Sequence, residues 1–305
     1  MHINKKILVT GGSGLVGKYL KKIIPDAVYI SSNDYDLTIM SEVNDMLDKY
    51  RPSVVIHLAA KVGGLIDNIE KPAKYYDDNI LINTNTLKSS YEHGVTNFIG
   101  ILSSCAYPDS PQSYPIKESY IHDGPPNKSN FSYGITKRAF AVQIEAYNEQ
   151  YDLNYNYLIP CNLYGENEKD EEDNSHYITA LIKKIYTANK EGEDHILLYG
   201  DGTPVRQFMH AQDMANIIKI VVDNNIKESF NVAAEDHFSI KEIAKIAIKV
   251  TNSNLSLKFD SNMPNGQLRK DLDIIKMKSV IPDYNYISLD EGIKSFYEFY
   301  KRKND

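Results

Sequence analysis

Short apolar runs bounded by polar or glycine-rich turns dominate the first half of the chain. Each is followed by a longer segment with helical spacing. Ile7-Leu8-Val9-Thr10 is a continuous apolar run and reads as a buried strand. Runs at 27–30, 53–58, 98–102 and 155–159 read the same way. Helical patterns lie between them at 16–24, 41–50 and 72–91. Proline is absent from 131–147, so an uninterrupted helix is expected there. This alternation implies an α/β fold, a doubly wound parallel sheet with helices on both faces. Ligands of such sheets bind beyond the carboxyl ends of the strands, where Gly11, Ser103 and Pro160 fall.

The second half changes character. Residues 166–173 form an acidic stretch, read as a solvated surface loop. Helices are expected at 178–190 and 213–224, and the apolar run 230–233 is expected to rejoin the sheet. Residues 239–250 are amphipathic and open on a Ser239/Glu242 capping box.

A chain of 305 residues can bury a large core and suits two lobes. The net charge of -7, with no lysine- or arginine-rich block, argues against nucleic acid as a partner. A diphosphate ligand needs only a local basic patch. Two cysteines, Cys105 and Cys161, rule out a disulfide framework and fit a reducing cytoplasm. No apolar run reaches the roughly 18 residues of a membrane span. The N-terminus reads as a first strand rather than a signal peptide. No metal is expected.

Gly11-Gly12-Ser13-Gly14-Leu15-Val16-Gly17 follows the first strand and opens a helix. In that context the glycines permit a tight turn and close approach of a pyrophosphate, with the helix N-terminus facing the phosphates. Residues 1–165, with 207–236 returning to them, are therefore expected to bind a dinucleotide. Residues 166–206 and 237–305 are expected to form the substrate lobe. Ser31-Ser32-Asn33 occupies the tip of the second strand. An acid there would bind the ribose of NAD, so its absence favours NADP. Asp34 comes next, and no arginine is present for a 2'-phosphate. Asp36 and Leu37 either reach the adenine or belong to an ordinary loop.

Tyr133 and Lys137 are four apart and share a helix face. The lysine charge is expected to lower the tyrosine pKa from about 10, giving a proton donor usable near neutrality. With 23 tyrosines in the chain, such a pair alone is a common accident. The glycine loop and Ser103 at a strand end give it meaning. Together these features resemble the extended short-chain dehydrogenase/reductase superfamily. The stretches around His57-Leu58-Ala59-Ala60-Lys61-Val62-Gly63-Gly64, Ser103-Ser104-Cys105, Pro160-Cys161-Asn162-Leu163, Asn174-Ser175-His176 and Gly202-Thr203-Pro204-Val205-Arg206 extend the similarity. They resemble its epimerase/reductases of GDP-4-keto-6-deoxy-D-mannose, from about Lys6 to near Tyr297.

The resemblance implies NADPH as cofactor, a GDP-sugar as substrate and a homodimer. It implies that Ser103 and Tyr133 hold the C4 carbonyl and that Lys137 binds the nicotinamide ribose. Ala59, Ala60, Pro160, Asn162, Leu163 and His176 would border the cofactor. Lys184, Tyr199, Arg206, Asn265 and Arg269 would meet the sugar nucleotide. Tyr199 stands where the family has tryptophan, and Asn265 where it has aspartate. Arg269 and Lys270 either add charge near the diphosphate or are exposed solubilising residues.

Cys105 and His176 match the family's acid/base pair for inversion at C3 and C5. Those hydrogens are acidic because each lies next to the C4 ketone, and the enolate needs stabilisation at the same oxygen. A cysteine of ordinary pKa, about 8.5, is mostly thiol and needs a nearby cation or helix terminus to act as base. The residues alone leave Cys105 equally readable as a small buried apolar group and His176 as a core histidine. They also leave open a C4 reductase of a related GDP-4-keto-deoxyhexose or heptose, and a catalytically silent dinucleotide sensor.

Overall fold

A computed structural model describes residues 5–166, 168, 176–263 and 265–305. Residues 1–4, most of the acidic stretch, Asn174, Ser175 and Pro264 lie outside the described residues. In chain order, β1 (Ile7–Thr10), α1 (Leu15–Ile23), β2 (Val28–Ile30), α2 (Met40–Tyr50) and β3 (Val54–His57) come first. A short α3 (Leu65–Glu70) and a long α4 (Pro72–Glu92) precede β4 (Asn97–Ile101), α5 (Phe131–Tyr151) and β5 (Asn156–Pro160). The elements then shorten to β6 (Asn162–Tyr164), α6 (Tyr177–Glu191), β7 (His195–Tyr199), β8 (Val205–Arg206) and β9 (Phe208–His210). After α7 (Ala211–Asp223) and β10 (Phe230–Val232) come β11 (Phe238–Ser239), α8 (Ile240–Val250) and β12 (Ser256–Asp260). Last are β13 (Arg269–Lys270), α9 (Ile275–Val280) and α10 (Leu289–Asn304).

Six strands form one sheet in the order β10-β5-β4-β3-β1-β2, and every neighbouring pair is parallel. The apolar runs predicted this: β3, β4 and β5 are buried at every position, as strands covered on both faces must be. The strand at 230–232 does rejoin the sheet, beside β5. The chain leaves β1 toward β2 on one side and β3 on the other, so the order reverses between β1 and β3. A crevice opens at that point. Ser239 and Glu242 form the expected capping box at α8. The two- and three-residue strands β6, β8, β9, β11 and β13 escaped the sequence reading, because such lengths show no period.

Two apolar clusters build the interior. The larger lies around the main sheet and also takes in Leu272, Met277 and Ile281 from the C-terminal third. The smaller joins α6, α8 and α10 with β7 through Ile182, Ile185, Ile196, Ile243, Ala247, Ile293 and Phe296. Glu166 links the two. It bonds the Tyr19 hydroxyl on α1, takes a 2.7 Å bond from Ser295 on α10 and lies 3.3 Å from His210. The expected solvated loop is thus corrected at Glu166, whose carboxyl is held down at about 2 by these partners against the cost of burial.

Beneath the crevice, His57 is completely buried. Its Nδ1 accepts from Thr10 Oγ1 at 2.8 Å and its Nε2 donates to Asn83 Oδ1 at 3.2 Å, which satisfies a neutral ring. Burial, helped by the charge on Lys137, pushes its pKa down to about 3. The unfolded chain protonates His57 near 6.5, so this contribution to stability is complete above that pH and is lost as pH falls toward 3. In urea unfolding, the stability difference between the chain and His57→Gln should narrow by roughly 2 kcal/mol between pH 7 and pH 5. An unchanged difference would refute a neutral buried ring.

Candidate active site

The glycine loop joins β1 to α1 at the crevice. Gly11 has a φ of +71°, and a Cβ there would come within 2.8 Å of the Ala59 nitrogen, across the β1/β3 gap. A Cβ at Gly17 would lie 2.6 Å from the Gly11 carbonyl oxygen. Only glycine allows this turn to fold tightly onto β3. Gly14 caps α1 with no side-chain bond, and no acid sits in the first turn. The N–H groups of that turn are therefore open to an anion, and the loop fits a dinucleotide's pyrophosphate. Gly12 is buried and Ser13 exposed at the mouth; Leu15 and Val16 pack against the core.

At the β2 tip, Asp34 folds back on Ser31, accepting its N–H at 2.8 Å and its hydroxyl at 2.6 Å. Ser32 and Asn33 are exposed beside it. Asp36 takes both the N–H and the hydroxyl of Thr38, whereas Leu37 is buried in the core. Ala59 and Ala60 are half-buried beyond β3, and the Ala59 N–H lies 3.4 Å from Thr10 Oγ1. Pro160 ends β5; Asn162 then donates to the Gln207 carbonyl at 2.9 Å, and Leu163 packs on the larger core.

Ser103 follows β4 directly and accepts the Cys105 N–H at 3.2 Å, opening a short turn of 3-10 helix. Tyr133 and Lys137 sit in the first turns of α5, whose crossing over β4 aims both at the same strand end. The expected lowering of the tyrosine pKa is corrected. Burial raises the Tyr133 phenol, charge on Cys105 raises it further, and a hydrogen bond with Ser103 only partly offsets them. Lys137 does not counter this, because its Nζ donates to the Ile101 carbonyl at 2.8 Å and lies 5.9 Å from the Tyr133 ring centre. Burial lowers Lys137 itself to about 8. A phenol with a raised pKa holds its proton firmly, which suits a donor to a developing alkoxide.

Cys105 is half-buried, and its sulfur receives hydrogen bonds from Asn130 Nδ2 at 3.0 Å and Lys270 Nζ at 3.1 Å. Burial alone would raise its pKa. The Lys270 charge, bonds from Ser103 and Lys270, and the charge on His176 outweigh that and leave it lowered. At Cys161 burial outweighs backbone hydrogen bonds and the Lys270 charge and pushes the thiol up to about 12. The two cysteines thus separate into a reactive and an inert thiol.

His176 precedes α6 and bonds through Nδ1 to the Glu168 carboxylate, which also accepts its backbone N–H at 3.1 Å and the Thr179 hydroxyl. The Glu168 bond raises the His176 pKa against burial, with the charge on Cys105 adding to it. The solvated reading of the acidic stretch fails at Glu168 as well, since its side chain is 7% exposed.

Arg206 is half-buried and lies within electrostatic reach of Cys105 and Tyr114. Lys184 lies 5.4 Å from the centre of the Tyr199 ring, which is 61% exposed. The structure brings Ser103, Cys105, Tyr133, Lys137, His176 and Arg206 to one seam. Two other residues are placed differently. Arg269 grips Asp271 through two bonds, at 2.6 and 2.9 Å, and stacks over Tyr114. Asn265 Oδ1 accepts the Asp201 N–H at 2.9 Å and ties down the turn that carries Tyr199.

Sequence reasoning missed Asn130 and Glu168, and it set Lys270 near the diphosphate or in solvent rather than against Cys105. For Lys270 the exposed, solubilising reading is overturned: it is buried against Cys105. Asn130 carried a usable signal, being three residues before Tyr133 and so on the same side of the helix start.

Residues 7–233 match the model of the NAD dependent epimerase/dehydratase family. The chain is 35% identical over 300 residues to a GDP-L-fucose synthase of Dictyostelium discoideum, covering 95% of this chain and 93% of that one. It is 32% identical over 311 residues to a GDP-L-colitose synthase of Yersinia pseudotuberculosis, covering 98% and 99%. The crystal structure of a GDP-L-fucose synthetase from Naegleria fowleri bound to NADP superposes with a TM-score of 0.88 at 29% identity, covering 100% of this chain and 96% of that one. With a glycine cradle, a Ser103-Tyr133-Lys137 group and this match over most of its length, the chain belongs to the NAD dependent epimerase/dehydratase family.

Proposed function

We propose that this chain is an NADPH-dependent epimerase/reductase that converts GDP-4-keto-6-deoxy-D-mannose to GDP-L-fucose. The observation that carries the reading is the position of Cys105. It follows Ser103 by two residues and shares charge interactions with both Tyr133 and His176. A simple ketoreductase needs only the serine, the tyrosine and the lysine. An acid and a base set beside them add what inversion next to a ketone requires.

The lowered thiol of Cys105 and the raised imidazole of His176 favour a thiolate and an imidazolium. The thiolate takes the proton from C3, and electrons move into the C4 oxygen as an enolate. Hydrogen bonds from Ser103 and Tyr133 stabilise that oxygen. His176 returns a proton to the opposite face, completing inversion, and exchange with solvent resets both groups. The same cycle inverts C5. Reduced nicotinamide, when bound, supplies the hydride for C4. Tyr133 gives its proton to the resulting alkoxide, and Lys137, whose Nζ donates to the Ile101 carbonyl in the same pocket, would hold the nicotinamide ribose.

Arg206 and Lys184 would hold the diphosphate and nucleoside, with Tyr199 stacking nearby. The larger core with its glycine loop forms the dinucleotide lobe, and the smaller core carries the sugar nucleotide. The enzyme works as a cytoplasmic homodimer. Apolar side chains left uncovered on the two long helices support that assembly: Tyr76 and Leu81 on α4, Val142 on α5.

Tyr133→Phe should lower the rate of C4 reduction by roughly 10²–10⁴ while leaving NADPH binding intact, as read by nucleotide fluorescence titration and product analysis. Normal turnover would refute its role. Cys105→Ser should cut deuterium uptake at C3 and C5 from heavy water by a similar factor, followed by NMR of the product. Undiminished uptake would remove Cys105 from the reaction. In sedimentation, the chain should run at twice its mass, and Val142→Glu should shift it toward the monomer; a monomeric parent chain would sink the assembly.

A further inference from the structure

Asn130 occupies the N-cap of α5, where an asparagine side chain ordinarily accepts a backbone N–H of the first turn. It makes no such bond. Its Nδ2 instead donates to the Cys105 sulfur, and its Oδ1 is buried with no partner among the described residues. Leaving a buried carbonyl oxygen unpaired is costly, and giving up the cap adds to that cost. That orientation suits a sulfur that only accepts. A thiol would offer its S–H to Oδ1 and repair the deficit.

Lys270 shows the same bias. It is 8% exposed, and among the described residues it makes no ion pair with a carboxylate. A buried ammonium needs a compensating charge. The group that its Nζ meets is the Cys105 sulfur, at 3.1 Å. Two donors from distant parts of the chain therefore converge on one sulfur.

We propose that Asn130 and Lys270 form a cradle that keeps Cys105 as a thiolate in the resting protein, with Lys270 as the positioning residue that arms the base. This rests on the reading of Cys105 as the proton acceptor, and it explains how a cysteine takes that task at neutral pH. The other ionisable groups facing the sulfur are His176, Arg206 and Tyr133. The first two are cations or become so and act in the same sense as Lys270, while the phenol stays neutral. Cys161, with its pKa near 12, adds no background.

The test titrates the ultraviolet absorbance of the thiolate and the rate of iodoacetamide alkylation in the full chain, with Cys105→Ser as the blank. The midpoint should lie below the ordinary cysteine value of about 8.5. Lys270→Met should raise it by about 1–3 units and slow alkylation at neutral pH roughly tenfold or more, whereas Lys270→Arg should hold it low. Asn130→Leu should raise it in the same direction, which keeps the test decisive if Lys270→Met does not fold. An unmoved midpoint in Lys270→Met or Asn130→Leu overturns the cradle. Deuterium exchange at C3 and C5 separates the two readings: a raised midpoint with undiminished exchange supports the cradle and refutes Cys105 as the proton acceptor.

Discussion

The candidate site is drawn together at a parallel pairing only two residues long. Lys270 lies opposite Arg206 where β13 meets β8, so both cations enter the site together. Gln207 extends the hold. Its Oε1 accepts the Leu272 N–H at 2.7 Å, and its Nε2 lies 3.1 Å from the Ala234 carbonyl and 3.4 Å from that of Leu272. One buried amide thus fastens the C-terminal segment to the return path of β10. Strands as short as β13 are marginal by themselves, and backbone bonds between Ile116 and both Asp271 and Asp273, each 2.8 Å, share the hold with Gln207.

Burial and charge work against each other throughout the site, and geometry decides each contest. Tyr133 loses to burial because Lys137 is turned to the Ile101 carbonyl. Cys105 escapes the same fate because two donors point at its sulfur. His176 is held above its ordinary value by the bond to Glu168. The chain is acidic as a whole, yet the seam gathers Lys137, Arg206 and Lys270. Desolvated cations of this kind attract a doubly charged anion far more strongly than surface lysines do.

The sheet was legible because its strands are buried on both faces and read as unbroken apolar runs, as Ile56 and Ile99 illustrate. The glycine loop and the Tyr133/Lys137 spacing were legible because local backbone geometry demands them. Lys270 was not, since its neighbour Arg269 does sit half in solvent and adjacent charges in a loop look alike. Glu168 was hidden inside an acidic run whose average character is that of a surface. Glu168 meets His176 only 8 residues on, whereas the deciding partner of Lys270, Cys105, lies 165 residues off in sequence. Pattern and propensity carry no information across such a gap.

Asn130, His176, Arg206 and Lys270 reach the seam from four separate stretches, Lys270 being the last of them in sequence. Synthesis proceeds from the N-terminus, and early segments fold first. A ribosome-bound polypeptide can complete most of its sheet long before position 270 emerges from the exit tunnel. Until then the Cys105 sulfur lacks the ammonium donor that the finished fold sets 3.1 Å from it.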